Sequence, residues 1–323
     1  MKIAFHTNTL SNRGTTVAIL DYAKYNQELL GNDSVIVYPL NFSDPGIPVD
    51  SLTRPEIVES VSKEFTVFGY SSQEQLEQYC LDNGIDYTYY IKAGFNDGQL
   101  NSATKNIVHA VFQANNPHGD RYAYISDWLS QKMSNNSIDF VPHIVDLPKT
   151  VVSNYREKLG IPEDKIVVGR IGGFHQFDIR WVLETVANFA YNNPNYVFIF
   201  VNTFKFVELP NILFLDSIFD EQEKTDFILS CDAMIHARSD GESFGLAICE
   251  SLFHNKPVFC YNGGRDKHHI ELLQDTNLLY NTPEDLWLKM LNIKNNYHYE
   301  YSKLVQQFTP ELVMEKFNKV FLL

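Results

Sequence analysis

The sequence predicts an α/β protein built from two doubly wound, Rossmann-like domains. Short apolar runs of strand length alternate with amphipathic stretches of helix length, which is typical of parallel sheets covered by helices on both faces. The alternation breaks once, at Asp146-Leu-Pro-Lys, and then restarts. Because 323 residues is long for one hydrophobic core, we expect this break to be a linker between two domains that face each other across a cleft.

The first half supplies the elements of an N-terminal domain, residues 1–147. The predicted strands are 2–6, 34–39, 65–69, 86–91, 106–111, 121–125 and 138–142. The predicted helices are 14–30, 55–63, 73–82 and 126–134.

The second half supplies a C-terminal domain, residues 148–305, and a final amphipathic segment, 306–323, that we expect to pack back on the N-terminal domain. The predicted strands are 165–171, 195–201, 211–215, 232–236 and 257–260. The predicted helices are 151–159, 179–191, 220–229, 244–254 and 268–274, followed by a helical tail from 283 onward.

Composition and charge exclude several classes of protein. A net charge of −14 argues against a nucleic-acid or anionic-membrane partner recruited by bulk charge. The four cysteines lack CxxC spacing and are interpreted as reduced core residues. There is no signal-peptide pattern at the start and no apolar run of the ~18 residues that a transmembrane segment needs, so we expect a cytoplasmic protein.

Ligands of open α/β sheets bind beyond the carboxyl ends of strands, so the loops after strands hold the candidate site residues. Gly14 opens the first predicted helix, where backbone N–H groups can approach an anion. The alternative is a turn glycine with Ser11 or Thr15 capping the helix. This loop has neither a GxGxxG nor a P-loop pattern, so dinucleotide binding is not indicated.

Two basic residues lie at predicted strand ends. His109 is within or just past a buried strand, where an imidazole is either a hydrogen-bonded core group or functional. Arg170 ends an apolar strand and precedes two glycines. The fork of N–H donors on its guanidinium suits a phosphate, and the glycines allow the backbone to approach that phosphate closely. The alternative is a surface arginine paired with an acidic residue.

The loop after strand 232–236 carries two glutamates. Glu242 precedes the predicted helix 244–254 and Glu250 lies about two turns into it. Carboxylates accept hydrogen bonds from ligand hydroxyls, and the backbone N–H groups between them point from the positive helix end. These N–H groups are those of Phe244, Gly245 and Leu246. The arrangement fits a phosphorylated sugar; the alternative is a first-turn acid at Glu242 and a solvated Glu250.

The complete string, rather than the spacing, resembles a known family. Ser239–Leu252 (SDGESFGLAICESL), followed by Lys256-Pro-Val, resembles the E-x7-E signature of retaining GT-B glycosyltransferases, the group 1 or GT4-like family. Four further segments resemble that family in the same order: Tyr124–Leu129, Phe140–Leu147, Val168–Arg170 and Tyr261–Gly264.

The resemblance implies a role for each matching residue. Arg170 would bind the donor diphosphate, Glu242 the hydroxyls of the donor sugar, and Glu250 the ribose. His109 would contact the transferred sugar near the reaction centre. The resemblance also implies that Gly14 contacts a phosphate of the sugar donor. Main-chain groups of Ser243, Phe244, Gly245 and Leu246 would make further contacts with the donor.

The resemblance also implies a reaction. A UDP- or GDP-sugar would donate its sugar, with retention of anomeric configuration, to a glycan or small hydroxyl acceptor that binds the N-terminal domain. No metal ion or other cofactor is expected. The protein would supply positive charge to the departing diphosphate.

One position departs from the family pattern. The family places a lysine about five residues after the Gly-Arg arginine, whereas this chain reads Gly-Gly-Phe-His175-Gln-Phe-Asp178. Losing a cation that stabilises a leaving group costs roughly 3–4 kcal/mol in comparable anion sites. Either His175 replaces it as an imidazolium, or another cation does (Arg180, Lys205 or Arg265), or the activity is weak.

Two alternatives to a transferase therefore remain. The missing lysine favours a nucleotide-sugar or glycan binding protein that has lost catalysis. A sugar-nucleotide epimerase can share the two-domain fold, although the E-x7-E string counts against it.

Overall fold

The computed structural model describes residues 1–11, 13–42, 52–297 and 299–323. The chain forms two compact units, one of Met1–Ile144 with Phe308–Leu323 and one of Val145–Gln307. Each unit contains a six-stranded sheet in which every strand pair is parallel. The predicted α/β class with two Rossmann-like domains is confirmed.

The first unit has strands in the order β3-β2-β1-β4-β5-β6. The strands are β1 Lys2–His6, β2 Asp33–Pro39, β3 Thr66–Tyr70, β4 Tyr87–Lys92, β5 Lys105–Ala110 and β6 Arg121–Tyr124. The helices before the second unit are α1 Gly14–Glu28, α2 Pro55–Val61, α3 Gln73–Asp82 and α4 Asp127–Ser134.

The second unit repeats the order, with β7 in the place of β1. Its main strands are β7 Ile166–Arg170, β8 Tyr196–Val201, β9 Ile212–Leu215, β10 Ala233–His236, β12 Val258–Tyr261 and β14 Leu279–Tyr280. A separate two-stranded sheet pairs β11 Gly241–Glu242 with β13 Asp266–Lys267. The helices are α5 Tyr155–Lys158, α6 Arg180–Asn192, α7 Glu221–Ser230, α8 Leu246–Phe253, α9 His268–Leu273, α10 Pro283–Leu291 and α11 Ile293–Asn296.

Each sheet has one topological switch point, where the strand order reverses. It lies between β1 and β4 in the first sheet and between β7 and β10 in the second, whose order is β14-β12-β10-β7-β8-β9. Loops diverge to opposite faces at such a point and leave a crevice beyond the carboxyl ends of the strands, where doubly wound folds bind ligands. The residues that follow β7 and β10 are therefore in the position of a ligand site.

The strands follow from their apolar runs. Every residue of β8 is buried, and β7 is likewise buried along its length, because helices cover both faces of the sheet. Helix starts follow from capping side chains, since Ser72, Ser126 and Asp220 each accept a hydrogen bond from a first-turn amide of α3, α4 and α7.

Three predicted elements differ in the structure. Segment 138–142 makes only an isolated bridge between Phe140 and Tyr124, because Pro142 has no N–H to extend a ladder. Predicted helix 151–159 is only α5 in the structure, which Asn154 caps by accepting from the Arg156 amide, while the Asp226 carboxylate binds the preceding amides of Val152 and Ser153 at 2.8 and 2.9 Å. The helical tail is interrupted after α11 and resumes as a 3₁₀ segment, Tyr301–Phe308.

The last helix, α12 Pro310–Phe317, and a π-helical turn, Asn318–Leu322, belong to the first unit. Phe317 stacks on Tyr22 of α1 with ring centroids 5.4 Å apart. Within the described ranges, no helix combines the length and the apolar character that crossing a membrane requires.

Candidate functional site

Glu242 is held by two basic side chains at the end of β10. One carboxylate oxygen accepts a hydrogen bond from His236 Nε2 at 2.9 Å and the other from Arg238 Nη1 at 3.0 Å. The carboxylate is largely buried, with 13% of the side chain exposed. We call His236, Arg238, Glu242 and the nearby His269 the Glu242 cluster.

This environment fixes the charge of Glu242. Burial alone would raise the pKa of the carboxyl, but the hydrogen bond and charge of His236, with the charges of Arg238 and His269, outweigh burial and lower the pKa to about 2. Glu242 is therefore a carboxylate at neutral pH and accepts hydrogen bonds without donating any. Since a carboxylate has about four acceptor positions, two remain for ligand hydroxyls.

A glycine allows the Glu242 loop to approach its neighbour strand. Gly241 has φ +73°, and a Cβ there would lie 2.0 Å from the carbonyl oxygen of Asp266 in β13. No other residue fits this contact without moving the backbone. The register then places Glu242 opposite Lys267.

Helix α8 begins directly after the Glu242 loop. Gly245 adopts φ +85° and Leu246 starts the helix, so Ser243, Phe244, Gly245 and Leu246 do lie together beside Glu242. His268 fixes Phe244 by donating to its carbonyl at 2.7 Å and stacking on its ring at 5.3 Å. The amides of Leu246 and Ala247 open the helix and are in the position that suits an anion, whereas the Ile248 amide bonds the Gly245 carbonyl at 3.0 Å.

Arg170 ends β7, across the switch point from His236, but it does not present its guanidinium outward. Only 2% of the residue is exposed. Nη1 bonds the Asn202 carbonyl and the Thr203 hydroxyl at 2.8 and 2.7 Å, and Nη2 bonds the Gly173 carbonyl at 2.7 Å. The side chain thus holds the loop that follows its own strand, and its predicted diphosphate contact stays a prediction.

The positions considered for the missing lysine are exposed. His175 lies on the surface with its ring 4.9 Å from that of Phe174. Arg180 pairs with Glu184 and Lys205 with Glu208, at 2.9 and 3.3 Å. Arg265 lies 3.4 Å from Asp266.

Glu250 is buried in an ion pair rather than solvated. Lys224 of α7 donates to its Oε1 at 2.6 Å, and both side chains are at most 8% exposed. The first turn of α8 contains no acidic residue, so the interpretation of the two glutamates as ordinary helix-end decoration is wrong. The ribose contact stays a prediction, which Oε2 would have to make.

His109 is a core residue of the first unit, and its predicted contact with the transferred sugar stays a prediction. It is fully buried on β5. Nε2 donates to the Val141 carbonyl at 2.8 Å, and Nδ1 accepts from the Tyr89 hydroxyl at 2.6 Å. Both ring nitrogens are therefore hydrogen-bonded inside the core. Burial lowers the pKa of His109 to about 4, against weaker raising effects from backbone hydrogen bonds.

The buried imidazole makes stability depend on pH. The pKa of His109 is about 4 in the folded state and about 6.5 when unfolded, so its contribution is present above pH 6.5 and is lost as pH falls to about 4. One such group is worth about 3 kcal/mol. His109→Gln should therefore lose less free energy of unfolding than wild type between pH 7 and pH 4.5 in urea titrations, with exposed His175→Gln as control. Equal losses in H109Q and wild type would contradict the assignment.

Gly14 is exposed at the start of α1, and a Cβ there would meet no atom of the described residues within 4 Å. The helix N-cap is Arg13, without a side-chain cap, so neither Ser11 nor Thr15 caps the helix. The fold itself therefore does not require glycine at this position, and its predicted phosphate contact stays a prediction.

Both switch points contain residues that the sequence pattern did not single out. In the second unit these are His236 and Arg238, the partners of Glu242, although Arg238 stands four residues before it. In the first unit they are His6 and Lys92, which end β1 and β4. His6 Nε2 shares a hydrogen bond with Tyr70 at 2.7 Å, and Lys92 binds Asp97 at 2.7 Å.

The fold is that of solved glycosyltransferases. The sequence matches no protein-family model and no curated protein. HepE from Anabaena, solved in complex with UDP-glucose, superposes with a TM-score of 0.73 at 13% identity over 99% of this chain and 98% of that chain. A glycosyltransferase from Rickettsia africae gives 0.69 at 12% identity over 99% and 97%.

An epimerase fold is also similar. A putative UDP-N-acetylglucosamine 2-epimerase from Listeria monocytogenes gives a TM-score of 0.58 at 10% identity over 98% of this chain and 94% of that chain. At these identities the comparisons show the shared fold.

Proposed function

We propose that this chain is a retaining glycosyltransferase that uses a UDP- or GDP-sugar, needs no bound metal, and transfers the sugar to a glycan or small hydroxyl acceptor. One observation carries the proposal. A permanently ionised carboxylate, Glu242, lies at the switch point of the second sheet, beside the amino end of α8. The structural likeness to HepE, which was solved with UDP-glucose, supports it.

The chemistry assigned to the second unit is donor binding. The two free acceptor positions of Glu242 take donor-sugar hydroxyls, and the amides that open α8 meet partial negative charge. As the bond from C1 to the β-phosphate oxygen breaks, its electron pair stays on the diphosphate. The acceptor oxygen bonds to C1 on the same face and its proton passes to the diphosphate.

The chemistry assigned to the first unit is acceptor binding. His6, at the switch point, shares a hydrogen bond with Tyr70 at the end of β3, and Lys92, which ends β4, forms a partly exposed pair with Asp97. Hydroxyls, an imidazole and a carboxylate are suited to the donor and acceptor pattern of a sugar.

The test measures binding and then transfer. UDP, GDP, UDP-glucose and GDP-mannose are screened by thermal shift, and we expect at least one to raise the midpoint, because a ligand that binds only the folded state stabilises it. The stabilising sugar nucleotide is then incubated with oligosaccharide acceptors, with and without EDTA. NMR of the product should show the donor's anomeric configuration. The amount of sugar transferred should be the same with and without EDTA.

Distinct results would contradict the proposal. If no nucleotide diphosphate raises the melting midpoint, the proposed function is refuted. Inversion of the anomeric centre would refute only the retaining mechanism. Binding without transfer or sugar release over long incubation would favour the non-catalytic binding protein, which the missing lysine about five residues after Arg170 motivates. Conversion of UDP-N-acetylglucosamine without acceptor would favour the epimerase.

A further inference from the structure

Arg238 is a cation of the Glu242 cluster whose guanidinium is only partly used. A guanidinium has five N–H donors. Among the residues that the structure describes, the Arg238 guanidinium makes one hydrogen bond, from Nη1 to Glu242 at 3.0 Å. Its side chain is 18% exposed, so it is held in place without being closed off from a ligand.

The other cations near the switch point are less suited to a ligand. Arg170 is enclosed by the carbonyls of its own loop and of the end of β8. Arg180 and Lys205 have side chains 91% and 57% exposed and paired with acids of their own segments. A mobile, solvated cation of that kind gives little binding energy.

Position also favours Arg238. Its loop leaves β10, which pairs with β7 at the switch point of the second sheet. The same loop leads through Glu242 into the start of α8, so the guanidinium and the opening amides of that helix flank one carboxylate. The free edge of a guanidinium that is anchored at one nitrogen matches two phosphate oxygens.

We propose that Arg238 binds the diphosphate of the nucleotide donor and supplies the charge that the family's missing lysine would otherwise supply. Glu242 then has a second role, since it orients Arg238 while its remaining lone pairs accept sugar hydroxyls. This inference rests on the proposed function.

The test compares ligands that differ only in the diphosphate. UDP, uridine, GDP and guanosine are titrated by calorimetry into wild type, Arg238→Gln, Arg238→Lys and Arg180→Gln, with Lys158→Gln as the charge control on an exposed pair. Charge-assisted hydrogen bonds are worth enough that R238Q should weaken diphosphate binding about tenfold or more. Nucleoside affinity should not change, and R238K should lie between R238Q and wild type because it keeps the charge but loses the fork.

The other possible outcomes of these titrations separate the role of Arg238 from the proposed function. If wild type binds neither UDP nor GDP, the proposed function falls and this inference with it. If wild type binds a diphosphate and R238Q and R238K bind it equally well, only the role of Arg238 is wrong. UDP-glucose is titrated as a fifth ligand, and a loss confined to it, with UDP unaffected, would place Arg238 at the sugar. A loss of diphosphate affinity in R180Q instead would assign the diphosphate to Arg180. Thermal melts show whether R238Q is folded. If R238Q is not folded, the diphosphate affinity of R238K tests the role of Arg238.

Discussion

Glu242→Gln is expected to lower kcat/KM for sugar transfer by about a hundredfold, the size of effect that follows loss of one polar contact to a reacting group. The amide keeps the size of the side chain but removes its charge, so one of its two atoms can no longer accept from His236 or Arg238. Initial rates with the sugar nucleotide that stabilises wild type would measure the effect. Glu184→Gln, on an exposed glutamate, is the matched control.

The same substitution should change stability in a pH-dependent way. The pKa of Glu242 is about 2 in the folded state and about 4.5 unfolded, so its contribution is complete above pH 4.5 and is lost as pH falls toward 2. A difference of this size is worth about 3 kcal/mol. E242Q should therefore be less stable than wild type at pH 7, and the gap should narrow below pH 4.5. Full activity in a folded E242Q protein would refute the role of Glu242.

Lys224→Met is expected to destabilise the protein by about 3–5 kcal/mol, because it leaves the buried carboxylate of Glu250 without its partner. The double variant Lys224→Met/Glu250→Gln should recover most of that loss, since no uncompensated charge remains. Urea unfolding at pH 7 of the two single variants and the double variant measures the coupling.

The matched control breaks an exposed pair. Lys158→Met removes the partner of Glu223, where both side chains are about half exposed, and should cost less than about 1 kcal/mol. If Glu250 also binds ribose, the recovered double variant should remain folded yet bind nucleotide diphosphates more weakly than wild type. Equal stability of K224M and wild type would show that the pair is not structurally important.

Much of the fold was predictable because it depends on local pattern. Apolar runs such as Tyr196–Val201 are strands wherever helices cover both sheet faces, and capping residues such as Ser126 and Asp220 mark helix starts. The errors came from tertiary contacts. Asp226, some 70 residues away in sequence, binds the amides of Val152 and Ser153, and the helix begins only at Tyr155, after its Asn154 cap.

The candidate site was predicted in part. Sequence alone placed Glu242 in a strand-to-helix loop, and the structure places it there with Ser243–Leu246. It could not show that His109 faces the core, because a histidine at a strand end gives the same sequence pattern whether it faces the core or a ligand. It also could not show that Glu250 pairs with Lys224 on another helix.

The sequence by itself determined the two α/β units, the positions of most strands, and the loop between β10 and α8 that carries the glutamate. Only the tertiary structure decided which cations are available there. Arg170 is enclosed because Asn202 and Thr203, which follow the carboxyl end of β8, accept its hydrogen bonds, while among the described residues Arg238 bonds only Glu242 and keeps further donors. Strand and helix formation depends mainly on neighbours along the chain, whereas the exposure and partners of a charged side chain depend on residues that only the folded sheet brings beside it.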